Sequence, residues 1–319
     1  MYKRKIEEVL KNWKQTPNHK PIVIKGVRQC GKTSSVMDFA KKNYRHVVYL
    51  DFREHPEYRN FFIPNLDIPS IILRISATMP DVEIEAKETC FVFDEIQDCP
   101  RARGALKYFY LDGNYEVMCT GSLLGVNGYK TKEELQDESE ASIPVGFEQI
   151  ENMYPMDFEE WLWANNIKPI HLTYLRKCFD EELPVDEAIH QRMRELLHLY
   201  AIVGGMPEAV STFLATNQIG TLLQVQRRIV DEYKSDMIKY ALPTDKSKIR
   251  ECFESIPSQL AKEYKKFQFS KIRPNARGKE FAGSIQWIED AGIIQRCYNI
   301  QATELPLDGN RISNEFKIY

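Results

Sequence analysis

Gly26-Val27-Arg28-Gln29-Cys30-Gly31-Lys32-Thr33 sets two glycines, a lysine and a threonine at the spacing GxxxxGK[ST]. Backbone N–H groups in such a loop converge on an anion, and the cradle they form suits phosphate. At this spacing Lys32 is expected to reach the β- and γ-phosphates of a nucleoside triphosphate, with the Thr33 hydroxyl on Mg²⁺. The residues read as holding the nucleotide are Gly26, Val27, Arg28, Gln29, Cys30, Gly31, Lys32, Thr33 and Ser34. An ordinary glycine turn is the competing reading, and the flanks argue against it. Pro21 to Lys25 (PIVIK) has the composition of a short buried strand, and Ser34 to Lys42 places Val36, Phe39 and Ala40 on one side of a helix. Strand, loop and helix arrive in the order a phosphate loop needs.

Two further steps carry chemistry. Glu88 to Asp94 (ETCFVFD) has the continuous apolar run of a strand buried on both faces, and it runs directly into Asp94-Glu95. Asp94 fits a Mg²⁺ ion on the phosphates, directly or through a water. Glu95 is expected to accept a proton from the water that attacks the γ-phosphate. The plainer alternative is that the pair solvates a strand end or caps the next helix. Tyr115 to Thr120 (YEVMCT) reads as another strand, closing in Thr120-Gly121-Ser122. A hydroxyl there is placed to contact the γ-phosphate or orient the water, the alternative being a simple turn. The catalytic candidates are thus Lys32, Glu95, Thr120 and Ser122, and the metal candidates are Thr33 and Asp94. Cys30 stands beside a lysine and a helix N-terminus, a setting that lowers a thiol pKa. On that ground alkylation of Cys30 is expected to block nucleotide binding and ATP to protect it, against the alternative that this loop position merely tolerates cysteine.

The elements that must position these residues follow a strand and helix rhythm. His46 to Phe52 (HVVYLDF) is a second strand, helical patterns lie near Ile68 to Ala77 and Arg103 to Leu111, and a fifth strand lies within Val145 to Met153. Short apolar strands alternating with helices predict an α/β fold with a doubly wound, mostly parallel sheet. Ligands of such sheets bind beyond the strand C-termini, where the glycine loop sits. Asp157 to Ala241 is mainly helical, with Gly204-Gly205 as a helix stop and Pro207 early in the next helix. Lys132 to Glu140 (KEELQDESE) reads as a solvated loop.

From Lys246 the pattern changes. A helix near Ile249 to Tyr264, a basic turn, a helix over Glu280 to Asp290 and β-rich pieces at Gly292 to Tyr298 and Glu315 to Tyr319 fit a helix-turn-helix with a wing. Lys265, Lys266, Lys271, Arg273 and Arg277 fall between Lys262 and Lys279, opposed in the sequence only by Glu263. Such a cluster would neutralise DNA phosphates, whereas a protein contact or a solvated face are the other readings. Trp287, Ile288 and Ile294 recur at core spacing.

Composition bounds the rest. A chain of 319 residues, 43% hydrophobic and 28% charged, is a globular protein of two or three domains. No apolar run approaches the roughly 18 residues of a membrane span, so no membrane partner is expected. MYKRKIEEVLKNWKQ reads as an amphipathic helix using Ile6, Val9, Leu10 and Trp13, not as a secretory signal. Seven cysteines without close pairing point to reduced thiols and a cytoplasmic location. The six histidines show no metal-ligand spacing, and a net charge of −3 gives no global pull toward nucleic acid.

GVRQCGKT, VFDEIQD, CTGSLLG, PVGFEQIENMYPMDFEEWLWA and YAIVGGMPEAV together resemble the bacterial and archaeal AAA-type P-loop ATPases (AAA_14 domain) with a C-terminal DUF4143 region. The resemblance runs over nearly the whole chain. Its matching steps include Arg28, Asp94 to Gln97, Thr120 to Ser122, Tyr154 to Glu160 and Gly204 to Pro207. It implies a P-loop NTPase core over residues 1–156, a helical lid over 157–245 and a winged-helix-like region over 246–319. It also implies ATP and Mg²⁺ as ligands, in keeping with the lack of an Asn-Lys-x-Asp guanine-reading motif. Members of that family continue into a nuclease-like domain, whereas this sequence stops at Phe316-Lys317-Ile318-Tyr319, so it is read as truncated and no nuclease residues are carried over. Three functions follow as expectations: a Mg²⁺-dependent ATPase, a slow nucleotide switch acting on an unknown protein partner, and a DNA-associated protein using residues 262–279. Arg101 and Arg103 are available as an arginine finger by position alone, and oligomeric state stays open.

Overall fold

The computed structural model describes residues 2–122, 146–241 and 244–319, and divides within a long helix, near Arg228, into two compact units. The Lys132 to Glu140 loop, Leu123 to Gly125 of the CTGSLLG step and Val145 at the start of the expected fifth strand lie outside the described residues.

In the first unit β1 (Ile22–Gly26), β2 (His46–Asp51), β3 (Thr89–Asp94), β4 (Glu116–Ser122) and β5 (Gln149–Met153) form one sheet in the order β2-β3-β4-β1-β5. Every pairing in it is parallel. Parallel strands need crossovers, and the helices α1 (Ile6–Gln15), α2 (Lys32–Asn43), α3 (Ile68–Thr78) and α4 (Pro100–Asp112) accompany them. With neighbours on both edges and helices over the faces, β3 is buried at every residue, which is why its apolar run does not alternate. Phe91 and Phe93 lie 5.3 and 5.8 Å from the Phe109 ring of α4, and Phe93 lies 5.6 Å from Phe62. These aromatic contacts fix the strand whose C-terminal end delivers the acids. The sequence expectation of a doubly wound P-loop NTPase sheet is met.

Register brings the three chemical steps to one sheet edge. Gly26 at the end of β1 lies beside Ser122 of β4 on one side and Met153 of β5 on the other. Asp51, ending β2, lies beside Asp94, ending β3. Beyond β5 the same unit continues in α5 (Phe158–Ala164), α6 (Pro169–Asp180), α7 (Glu187–Val203), α8 (Pro207–Thr216) and the first part of α9 (Ile219–Tyr240). Asp157 caps α5 in a capping box with Glu160, two acids that satisfy donors at the positive end of the helix. As the sequence suggests, α7 stops at Gly204 and Pro207 opens α8. Trp161, Leu196, Val203, Val210 and Leu222 are among the residues burying the faces of these helices together.

The second unit contains α10 (Lys246–Leu260), a 3₁₀ turn at Phe269–Lys271, α11 (Gly278–Asp290) and an antiparallel pair, β6 (Arg296–Ile300) and β7 (Arg311–Ile318). A single bridge, Lys266 to Lys317, adds a third short stretch beside β7. Trp287, Ile288 and Ile294 are buried in its core, as their spacing predicts. The basic turn differs from its sequence reading. Arg273 pairs with Glu280 and lies 3.6 Å from Glu251, and Lys266 pairs with Glu315 at 2.8 Å. Glu263 is therefore not the sole opposing acid: folding brings carboxylates from α10, α11 and β7 onto the cluster and neutralises part of it.

Candidate nucleotide site

The glycine loop leaves β1 and re-enters the chain as α2, and its two glycines stand where a side chain fails. A Cβ on Gly26 would sit 2.2 Å from the Met153 carbonyl oxygen of the neighbouring strand. Gly31 adopts φ +96°, a conformation that costs L side chains strain. Gln29 also lies in the left-handed region at φ +60°. These turns aim Lys32 back over the loop, where its Nζ donates to Gly26 O at 3.1 Å and Val27 O at 2.8 Å.

Lys32 is only 6% exposed. Among the described residues no carboxylate pairs with it. A buried ammonium held only by carbonyl dipoles has lost hydration without gaining a counter-ion, a state that favours arrival of an anion. The loop therefore fits the triphosphate that its sequence implies.

Asp94 is the hub of the acidic side. It is 4% exposed, and its Oδ1 accepts from Thr33 Oγ1 at 3.1 Å, from the Glu95 N–H at 3.1 Å and from the Thr120 hydroxyl. Its Oδ2 accepts from the Tyr49 hydroxyl at 2.7 Å. Burial and the neighbouring carboxylates Asp94 and Asp51 push the Tyr49 hydroxyl far above its ordinary range, so it acts as a donor here. The Thr33 to Asp94 separation of 3.1 Å is close to the edge, about 2.9 Å, of an octahedron with metal–oxygen bonds of 2.0–2.1 Å. Both are hard oxygen donors, and the pair fits Mg²⁺. Among the described residues no group of three or more His, Cys, Asp or Glu side chains offers a competing metal site.

Glu95 lies one residue beyond the strand, in the left-handed region at φ +52°. Arg53 Nη2 stands 2.6 Å from Glu95 Oε2 while Arg53 Nε donates to Asp98 at 2.9 Å, and Gln97 also donates to Glu95. The Glu95 carboxylate is thus held by the Arg53 cation. Thr120 is fully buried and serves Asp94 directly, and Ser122 stands beside Gly26 at the end of β4. The sheet brings together Lys32, Thr33, Asp94 and Thr120, with Glu95 adjacent.

Tyr49 and Arg53 were missed by sequence reading. Both belong to β2 or its exit, and only the pairing of β2 with β3 gives them their partners. The arginine-finger candidates are engaged within the chain: Arg101 donates to Phe62 O and Pro64 O, and Arg103 is buried in a two-pronged pair with Glu148.

Cys30 contradicts the activated-thiol expectation and agrees with the alternative that this loop position tolerates cysteine. The thiol is fully buried and donates to Met153 O at 3.5 Å. Burial pushes its pKa up, and Lys32 and Arg4 offset this only in part. Helix and lysine were visible in the sequence, whereas the enclosing β5 end was not. Treatment of the native protein with iodoacetamide at neutral pH should label exposed Cys297 and leave Cys30 unmodified, with or without ATP. Peptide mass spectrometry reads this, and labelling of Cys30 at the rate of Cys297 would contradict the buried geometry.

Residues 18–162 match the family model of the AAA domain AAA_14. Residues 194–319 match a domain of unknown function, DUF8612, in place of the DUF4143 region that the resemblance implied. No curated protein matches the chain. Among solved structures, a Walker-type ATPase of Pyrococcus abyssi is similar at 14% identity and TM-score 0.48, with 100% of this chain and 93% of that chain covered. DnaA from Aquifex aeolicus, bound to AMPPCP, is similar at 12% identity and TM-score 0.36, covering 90% and 87%. The Aeropyrum pernix ORC1 protein in complex with DNA is similar at 12% identity and TM-score 0.32, covering 99% and 87%.

Proposed function

We propose that this chain, whose residues 18–162 match the AAA_14 family model, binds ATP with Mg²⁺ and hydrolyses it. Two observations carry this proposal: the buried Lys32 ammonium on its loop carbonyls, and the Asp94 carboxylate that gathers Thr33 and Thr120, with Glu95 next in the chain. Lys32 exchanges its carbonyl partners for phosphate oxygens, a charge-assisted and stronger bond. Thr33 and Asp94 would hold Mg²⁺, while Tyr49, Thr120 and the Glu95 N–H donate to Asp94 and fix its orientation. Bound Mg²⁺ supplies neutralisation of charge on the phosphates. Glu95 accepts the proton of the attacking water once Arg53 releases its carboxylate.

The remaining parts of the reading are an ATPase core over 1–156, a helical lid over 157–245 and a winged-helix-like unit over 246–319. The order helix, short paired stretch, turn, helix and two-stranded ribbon in the second unit supports the last of these. Among the described residues no helix is long and apolar enough to cross a membrane.

The test is a binding and turnover measurement on the purified chain. ATP should bind in the presence of Mg²⁺, and phosphate release should stop when EDTA is added. Binding without any release above background would leave a nucleotide switch in place of an enzyme, and absence of binding would end the reading.

A further inference from the structure

We propose that Arg4 is a positioning residue for the phosphate loop, locking the Cys30–Gly31 peptide in its anion-accepting orientation and tying it to the Tyr154 to Glu160 segment. This rests on the ATP-binding reading above.

Arg4 precedes α1, far from the loop in sequence, and is 5% exposed. One guanidinium nitrogen donates to the Cys30 carbonyl at 2.7 Å and another to the Tyr154 carbonyl at 2.7 Å. Its Nε stands 3.1 Å from Glu160 Oε1. The planar fork of arginine reaches two separated carbonyls at once while its charge faces Glu160, whereas an ammonium presents all its donors from one point.

The chemistry of the contact lies in peptide geometry. In a planar trans peptide the C=O of one residue and the N–H of the next point in opposite directions. Holding Cys30 O toward Arg4 therefore turns the Gly31 N–H away from it, and amides of this loop are the donors that meet phosphate. The peptide needs such a lock. Gly31 at φ +96° and Gln29 at φ +60° flank Cys30, and glycine offers little intrinsic resistance to rotation. Cys30 adds a second tie through its thiol to Met153 O.

The anchor is itself built. Glu160 is 4% exposed, and its two oxygens also accept the N–H groups of Lys5 at 2.6 Å and Asp157 at 3.1 Å. Asp157 in turn accepts from the Lys5 ammonium at 2.6 Å. Both charges of the Arg4–Glu160 pair are thus buried; hydrogen bonds to the terminal Arg4 nitrogens and to both Glu160 oxygens offset part of the cost, while Arg4 Nε has charge contact but no hydrogen bond. The same junction continues outward, since the Met156 N–H donates to Gly205 O at 2.6 Å and the Tyr200 hydroxyl to Met156 O at 2.8 Å. The Tyr-Pro-x-x-Phe-Glu-Glu and Gly-Gly-x-Pro steps, which the phosphate chemistry leaves without a role, meet the loop at this point through Arg4.

Two variants of the full chain test the assignment. Arg4→Lys keeps a cation opposite Glu160 but cannot bridge both carbonyls. The double variant Arg4→Met with Glu160→Gln removes both charges, so no unpaired charge stays buried and the fold is preserved. Dissociation constants for a fluorescent ATP analogue and for ADP are measured beside thermal midpoints. Both nucleotides should bind about tenfold more weakly or worse to either folded variant, because the lost amide serves phosphates common to both. A purely structural role would lower the thermal midpoint and leave affinity unchanged in protein that is still folded. A folded double variant or Arg4→Lys variant that binds ATP within about twofold of wild type overturns the assignment. A wild-type chain that binds neither nucleotide overturns the ATP reading, and this assignment with it.

Discussion

Lys32→Ala should abolish measurable ATP binding, raising the dissociation constant at least about 100-fold, or about 2.7 kcal/mol, while leaving the fold intact or slightly more stable. The two effects have one cause. Lys32 is a buried cation with carbonyl partners and no paired carboxylate among the described residues, so its burial costs desolvation that a triphosphate would offset. Removing the ammonium removes both the cost and the attraction. Calorimetric titration with Mg²⁺ and ATP, together with thermal melts of wild type and variant, reads the pair of outcomes. Affinity within about threefold of wild type would show that phosphate binding does not depend on this loop lysine.

Glu95→Gln should separate binding from chemistry. A general base contributes about 10² to 10⁴ in rate, so turnover should fall by at least about 100-fold. ATP affinity should persist, because Lys32, Thr33 and Asp94 are untouched and the variant side chain still offers an oxygen to Gln97. Loss of the negative charge also weakens the hold of Arg53, now 2.6 Å away. Single-turnover phosphate release beside equilibrium ATP binding makes the distinction. Equal slow rates in wild type and variant would identify a nucleotide switch and assign Glu95 to a structural pair with Arg53.

How much of this was legible in the sequence varied with the range of the interactions. The phosphate loop was legible because its function depends on neighbours within eight consecutive residues, two of them glycines whose conformations are local. The sheet was legible from β3, whose unbroken apolar run has meaning only for a strand covered on both sides. Asp94 and Glu95 followed from where that run stopped. Thr120 was placed at the correct strand end, and the structure adds that its hydroxyl faces Asp94.

The errors arose where a side chain's surroundings come from distant segments. Cys30 looked activated beside a lysine and a helix, yet the end of β5 encloses it and desolvation dominates its ionisation. The basic turn looked opposed by Glu263 alone, yet Glu251, Glu280 and Glu315 approach it from three other elements. No arginine finger was assigned from the sequence, and Arg103, available by position, pairs with Glu148 for the same reason of packing.

The sequence by itself supplied the expected ligand class and the identity of the chemical groups, since a glycine loop, a strand-terminal acid pair and a hydroxyl step each carry their chemistry locally. Tertiary structure alone decided which groups those residues face. Tyr49 meets Asp94 only because β2 pairs with β3, and Arg53 meets Glu95 for the same reason. Arg4 meets Cys30 only because α1 and β5 converge behind the loop. Hydrogen bonds and charge pairs act over a few ångströms in space, whatever the distance along the chain, so their partners are set by packing.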